Sequence, residues 1–300
     1  MPASKLPSFF IVGVQKAGTT ALHAWLSKQA GICLPRKKET HFFSHEDRFK
    51  NGLDWYLDEF PACRENDVIG EIDPDYSYIE LTPERIKRFI DAPRFIFIFR
   101  HPLERAYSHY LMSVRRGYEP LSFANALDVE NKRSQSENTV FFQAHHSYMA
   151  RGQYCKQIMR FKQIFPEARF CFIKFDDLFD EEISQALYAG ICEFIGLSSK
   201  PIKPDLNERI NQASRPHFTY LRNLVYGESR LKDMARKVVP RKLRGNLAYH
   251  IDQWNRVPVS TPAESGLGAA PPWIREQIES EVAALQPATG LNLDDWIGRV

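Results

Sequence analysis

FFIVGVQKAGTT (residues 9–20) is the stretch that decides the fold. Phe9 to Val12 are apolar without a break, as in a short strand buried on both faces. The residues from Thr19 onward, TTALHAWLSKQA (19–30), place Ala21, Leu22, Trp25 and Leu26 at helical spacing, and Gly31 stands where the helix must end. Between strand and helix lies a loop with Gly13, Lys16, Ala17 and Gly18. Such a loop can cradle an anion, because exposed N–H groups and the positive end of the helix both face it. Lys16, Ala17, Gly18, Thr19 and Thr20 are therefore candidate phosphate-binding residues. The alternative is a tight strand-to-helix turn with an exposed lysine.

The lysine stands in an unusual place. In a Walker loop it directly follows the second glycine, and a serine or threonine comes next. Here Thr19 holds that position and the lysine lies inside the loop, at Lys16. The apolar strand RFIFIF (94–99) runs into Arg100, not into the aspartate that a metal–ATP site would use. An ordinary ATP enzyme is disfavoured on both counts.

Strand and helix signals alternate outward from this stretch. SFFIVGV (8–14), DVIGEI (67–72), RFIFIF (94–99) and RFCFIKF (169–175) read as strands. NGLDWYLDEF (51–60), PERIKRFI (83–90), PLERAYSHYLMSVRRG (102–117), QYCKQIMRFKQIF (153–165) and EEISQALYAGICEFIGL (181–197) read as helices. Alternation of this kind predicts a three-layer α/β fold, a central and mainly parallel sheet with helices on both faces, of the P-loop nucleotide-kinase kind. Ligands in such sheets bind beyond the carboxyl ends of the strands, which directs attention to the residues after 14, 72 and 99. Residues 211–240 remain mostly helical in pattern, 257–272 form an irregular loop rich in Pro, Gly and Ser, and a last helix spans 273–285. One domain is expected over 1–300, with its core at about 8–225.

Composition narrows the function. A net charge of +3 is too small to argue for nucleic acid, so any basic site is local. The five cysteines (Cys33, Cys63, Cys155, Cys171, Cys192) are scattered and none has CxxC spacing, which predicts reduced thiols rather than a zinc site or disulfide framework. That expectation carries a reducing compartment with it. No apolar run approaches the roughly 18 residues of a membrane span, and no signal-peptide pattern opens the sequence; a cytoplasmic protein is expected if the chain is full length.

FIFIFRHPLERAYSHY (95–110) marks a second anion site. Arg100 stands just past a strand, where its planar fork can hold a terminal phosphate, and Ser108 adds a hydroxyl from the next helix. The alternative for Arg100 is a helix-capping salt bridge. Arg105 reads as structural, in a surface pair with a nearby acid. Two phosphate sites at adjacent strand ends suggest one nucleotide with phosphates at both ends.

With these motifs together, the chain resembles the sulfotransferases that use 3′-phosphoadenosine 5′-phosphosulfate (PAPS), in the branch of heparan sulfate and related carbohydrate sulfotransferases and their bacterial relatives. VGVQKAGTT (12–20) is similar to their 5′-phosphosulfate loop and FRHPLERAYSHY (99–110) to their 3′-phosphate motif. PRKKETHFF (35–43), GEIDPDYSY (70–78), RGQYCKQIMRFKQIFP (151–166) and NQASRPHFTYL (211–221) resemble further segments, so that the likeness runs from about 8 to 225.

The resemblance implies PAPS as donor, released as PAP, with no metal. It implies Lys16 on the 5′-phosphate and the bridging oxygen, Ala17 to Thr20 as donors, Arg100 and Ser108 on the 3′-phosphate, and Arg215 closing over it. Glu39 would be the general base. Lys37 and Lys38 beside it would favour its carboxylate or bind an acidic acceptor, and His41 would orient the acceptor, with His41 and His45 as rival bases. The branch often carries a lysine after the glutamate of the GE strand; here Ile72 and Asp73 follow, and Asp73 and Asp75 would suit a neutral or cationic acceptor better than a polyanion. The expected partner is a small-molecule or glycan acceptor, with oligomeric state open. Two other functions stay open at this point: a nucleotide-kinase-like phosphotransferase and a non-catalytic module that binds sulfated glycans or other anions.

Overall fold

The computed structural model describes residues 6–60, 63–137, 139–206, 214–216, 256–258, 271–297 and 299. Five strands build the central sheet: β1 (Phe9–Gly13), β2 (Ile32–Cys33), β3 (Val68–Ile72), β4 (Arg94–Phe99) and β5 (Arg169–Lys174). Their order is β2-β3-β1-β4-β5 and every pairing is parallel. β1 sits between β3 and β4, with Phe9 opposite both Gly70 and Arg94. The chain lays β2 and β3 on one side of β1, then crosses to place β4 on the other. The carboxyl ends of β1, β3 and β4 thus meet at a topological switch point.

The sheet is central because its strands are apolar on both faces. All five residues of β1 are buried, as are Phe95 to Phe99 of β4. Phe10 packs between Phe43, Tyr76 and Phe95, and Phe95 meets Phe161 of helix α8 (Tyr154–Ile164) and Phe165 just after it, with ring centroids 4.9–6.3 Å apart. Each such ring, fully buried, contributes about 1.5–3 kcal/mol. Gly13 ends β1 because a Cβ there would collide with the Ser77 side chain.

The remaining elements are α1 (Thr19–Lys28), α2 (Glu46–Phe49), α3 (Gly52–Leu57), α4 (Thr82–Lys87), α5 (Pro102–Arg116), α6 (Phe123–Glu137), α7 (Val140–His145), α9 (Ser184–Ile195), α10 (Trp273–Thr289) and α11 (Asp294–Ile297). Two short strands, β6 (Ser214–Pro216) and β7 (Arg256–Pro258), pair antiparallel. They hold the only described parts of the expected helical stretch 211–240 and the first residues of the expected loop 257–272; residues 217–240 and 259–270 lie outside the described residues.

Contacts group the chain into two compact units. One comprises 1–105, 153–210 and 275–299, and the other 106–152, 211–274 and 300. The first holds the sheet. In the second, Glu119 binds Arg133, the Tyr148 hydroxyl (2.8 Å) and the Leu121 N–H (3.0 Å), and Glu130 accepts the N–H groups of Met149 and Ala150 at 2.8 and 2.9 Å.

Two expectations need correction. Cys33 and Cys63 form a disulfide, so the chain does not carry five free thiols. Thirty residues separate the pair in sequence, beyond any CxxC signal, yet the edge strand and the segment after α3 bring their Cα atoms to 5.3 Å, within disulfide range. Arg105 is not in a surface pair; it is wholly buried and interacts with the Tyr154 hydroxyl. On α5 the apolar Leu103 and Leu111 are buried and Tyr107, Tyr110 and Val114 half-buried, and the polar Arg105, Ser108, His109 and Ser113 are buried as well. No described helix is long and apolar enough to cross a membrane.

Candidate active site

The loop after β1 is tightly set. Val14 N–H donates to the Ile98 carbonyl (2.9 Å) and Ala17 N–H to the Val14 carbonyl (3.2 Å). Lys16 has φ 72 and Gly18, the N-cap of α1, has φ 87. A Cβ on Gly18 would stand 3.1–3.2 Å from Phe175 and Leu178. No side chain caps α1 and its first turn holds no acid. Its positive end is therefore uncapped by any side chain and adjoins Lys16, as an anion site requires.

Arg100 comes to the same place from β4. Its Nη1 lies 3.5 Å from the Lys16 carbonyl, its guanidinium stacks over Phe175 at 4.7 Å, and Nε and Nη2 donate to Glu104 at 3.3 Å. The Arg100 carbonyl accepts from the Tyr154 hydroxyl at 2.7 Å, which fixes the backbone at the strand end. The loop and the arginine, 84 residues apart, thus form one basic corner.

Glu39 arrives on the segment between β2 and α2. Two carboxylates at the end of β3 pin that segment. Glu71 accepts from the Thr40 hydroxyl, from Thr40 N–H (3.2 Å) and from the Tyr56 hydroxyl (2.7 Å). Asp73 Oδ2 accepts His41 N–H at 2.9 Å, and its Oδ1 accepts Asp75 N–H at 3.0 Å. Both acids are fully buried, and hydrogen bonding is what makes such burial tolerable. Glu39 itself is a third exposed and pairs with Lys38; its Oε2 is 3.8 Å from His41 Nε2.

The electrostatics follow from this packing. Burial pulls the His41 imidazole down, but its hydrogen bond to Asp73 and the charges of Asp73, Asp75 and Glu39 outweigh that and raise it to about 9. Burial and the neighbouring His41 hold His45 below the usual histidine value. Burial and the charge of Lys38 push His23, on α1, down to about 4. Burial, followed by the charge of Asp73, raises Glu71 to about 7.

The chain matches the family described as the sulfotransferase domain over residues 6–224. It belongs to that family. Among curated relatives, mouse heparan sulfate glucosamine 3-O-sulfotransferase 5 is 27% identical over 181 residues, covering 60% of this chain and 51% of that protein. Human bifunctional heparan sulfate N-deacetylase/N-sulfotransferase 2 is 34% identical over 112 residues, 35% of this chain and 13% of the relative. The chain spans about half the length of the first of these relatives and a smaller part of the second. A sulfotransferase structure from Alicyclobacillus acidocaldarius superposes with a TM-score of 0.66 at 23% identity, covering 97% of this chain and 98% of that one, and shares the fold.

In this member of the family the loop of Lys16, Ala17, Gly18, Thr19 and Thr20 meets Arg100 past the ends of β1 and β4, and Lys38, Glu39, His41 and Asp73 gather at the end of β3. Lys37 turns away to Glu59. Asp73, expected at the acceptor, is buried behind His41 with both oxygens engaged. Ser108 is buried on α5, in the second compact unit. Arg215 lies on β6, where the described structure covers the backbone alone.

Two groups escaped sequence reading. Glu71 was visible as a lone charge in the apolar strand VIGEI, but nothing in the sequence says what it binds. The C-terminal turn gave no signal at all. Trp296 is buried against His101, its carbonyl 3.1 Å from His101 Nε2, and Arg299 reaches Glu104 (3.4 Å) and Asp176 (3.2 Å). Glu104 is the carboxylate that also holds Arg100.

Proposed function

We propose that the chain moves a sulfuryl group from PAPS to a hydroxyl or amine, on a carbohydrate or glycolipid acceptor, with Glu39 as general base. The observation that carries this reading is the single basic corner formed by Arg100 and the Lys16 loop, with Glu39 held at the neighbouring strand end by Glu71 and Asp73. The uncapped start of α1 supports a 5′-phosphosulfate there, held by Lys16 and by the backbone and hydroxyl donors of Ala17 to Thr20. The 3′-phosphate would go to Arg100 and Ser108, with Arg215 closing over it. Bound PAPS would supply an activated sulfur and a phosphate leaving group.

The chain's own residues do the rest. Glu39 takes the acceptor proton, a task worth about 10²–10⁴ in rate. The Lys16 ammonium would offset the negative charge that gathers on the leaving oxygen. Lys38 steadies Glu39, and the His41 imidazolium, held by Asp73, orients the acceptor. Asp73 reaches the acceptor only through that histidine. The heparan sulfate relatives support a sugar acceptor by their names. Ile72 is buried in β3 where that branch often has a lysine, which favours a less anionic sugar.

A labelled-sulfate transfer screen over sugars, glycolipids and phenols, run alongside thermal melts, tests the reading. PAP raises the melting temperature and ATP–Mg does not; the reverse result replaces the reading with a kinase-like one. Glu39→Gln keeps the PAP response and loses turnover by about 10²–10⁴. Arg100→Ala weakens PAP by about 1.5–3 kcal/mol, the worth of a charge-assisted bond. Wild-type turnover in Glu39→Gln would remove Glu39 from the chemistry.

A further inference from the structure

The acceptor side holds two groups that the proposed reaction leaves unused, His45 and Asp75. The His41 and His45 rings are stacked one turn apart, 8° from parallel with centroids at 4.6 Å, on a turn closed by His45 N–H to the His41 carbonyl (2.9 Å). Asp75 Oδ2 lies 3.6 Å from His41 Nδ1. His41, His45 and Asp75 each offer a ligand atom within 4.8 Å of the other two.

That spacing matches a metal site. With zinc bonds of about 2.0–2.1 Å, neighbouring ligand atoms in a tetrahedral site stand about 3.3 Å apart. The Asp75–His41 distance already has this value to within a few tenths, and closing the widest gap takes at most about 1.5 Å of side-chain movement. His45 is half-buried at the start of α2 and His41 is 28% exposed, so both can be reached from solvent. Two imidazoles and one carboxylate suit zinc-class cations, whereas magnesium and calcium prefer oxygen alone. Asp73 Oδ2 lies 3.0 Å from the same His41 Nδ1, so an ion there would meet its charge as well. Three protein ligands leave a fourth position open, and an ion on His41 Nδ1 would fix the ring whose other nitrogen, Nε2, lies 3.8 Å from Glu39 Oε2.

We propose that His41, His45 and Asp75 form a zinc-class cation site on the acceptor side of Glu39, and that filling it blocks transfer. The blocking half rests on the sulfotransferase reading above; the binding half does not. The ion is no participant in the reaction. By binding Nδ1 it takes His41 from its positioning role beside Glu39.

The test titrates zinc chloride into the full chain against a chromophoric zinc chelator, for wild type, His45→Ala, His45→Gln and Asp75→Asn, with melts to check folding. Wild type should withhold one zinc per chain from the chelator. Each folded variant should bind it at least tenfold more weakly. Zinc should inhibit labelled-sulfate transfer by wild type and EDTA should restore it. His45→Ala should retain, in the presence of zinc, a larger share of its own metal-free turnover than wild type does. No zinc uptake by wild type would overturn the site, as would equal uptake by the His45 variants, which would place the ion elsewhere. Zinc bound here with transfer unaffected would overturn the block. Zinc bound here with no transfer to any acceptor would leave the site standing and remove the sulfotransferase reading instead.

Discussion

Lys16 and His41 share a conformation that side chains usually avoid. Among the described residues they are the two non-glycine positions with positive φ, at 72° and 55°. Such a backbone costs about 1–3 kcal/mol and persists only where its surroundings impose it. Here hydrogen bonds of Val14 and Ala17 bracket Lys16, and Asp73 holds the His41 N–H. Gly18 meets the same demand without a side chain. Its φ of 87° and the nearness of Phe175 and Leu178 leave no room for a Cβ. Gly18→Ala should lower stability by about 1–3 kcal/mol and weaken PAP further, because the start of α1 must shift. Chemical denaturation and a PAP titration measure the two effects. A variant with wild-type stability and wild-type PAP affinity would show that the loop is not set as tightly as described.

At the scale of elements, the segment that carries Glu39 is tied at several points. Cys33–Cys63 closes a loop around it, Arg36 N–H donates to the Glu59 carbonyl (2.9 Å), and Thr40 and His41 hang from β3. A disulfide over a loop of this size stabilises by about 2–4 kcal/mol. The double substitution Cys33→Ser, Cys63→Ser should therefore lower the melting temperature. It should leave PAP affinity intact in the folded fraction, since the donor corner lies outside the closed loop, while turnover falls. Loss of PAP affinity in step with turnover would mean that the two halves of the site are not separately held.

Elements also show what the sequence discloses. β4 runs over 94–99 as the sequence indicates, because five consecutive apolar residues, Phe95 to Phe99, follow Pro93 and Arg94 and run into Arg100. β1 and α1 differ from expectation only at their ends. β2 has two residues, too few for any period, and went unread. α6 was missed because its apolar residues, Phe123, Ala126, Leu127 and Val129, cluster at one end and NKRSQSE follows. The basic corner was legible because loop, lysine and arginine each have a local signature. The Glu71 and Asp73 supports and the His41–His45–Asp75 cluster were not, since their meaning lies in which backbone or ring stands opposite after folding.

For the molecule as a whole, Glu71 links stability to pH. Folding raises its value from 4.5 to about 7 through burial and the charge of Asp73. The folded state thus holds a proton that the unfolded chain releases. This contribution is fully present below 4.5 and is lost as pH rises through 7, for a total on the order of 3 kcal/mol. His23, held down to about 4, tilts stability the other way between 4 and 6.5, so the check is a difference in melts: the stability of wild type relative to Glu71→Gln, which keeps an acceptor oxygen, should slope downward with pH across that range. A flat difference would assign the dependence to another group.

The brevity of β2 has a consequence for how molecules of this protein meet one another. A strand at the border of a sheet displays N–H and C=O groups that a second molecule can copy and extend. β2 offers two residues, and Leu34–Pro35 follows at once, with no N–H on the proline to lengthen the ladder. The border beside β3 is therefore a poor template, and crowded molecules gain little by joining there.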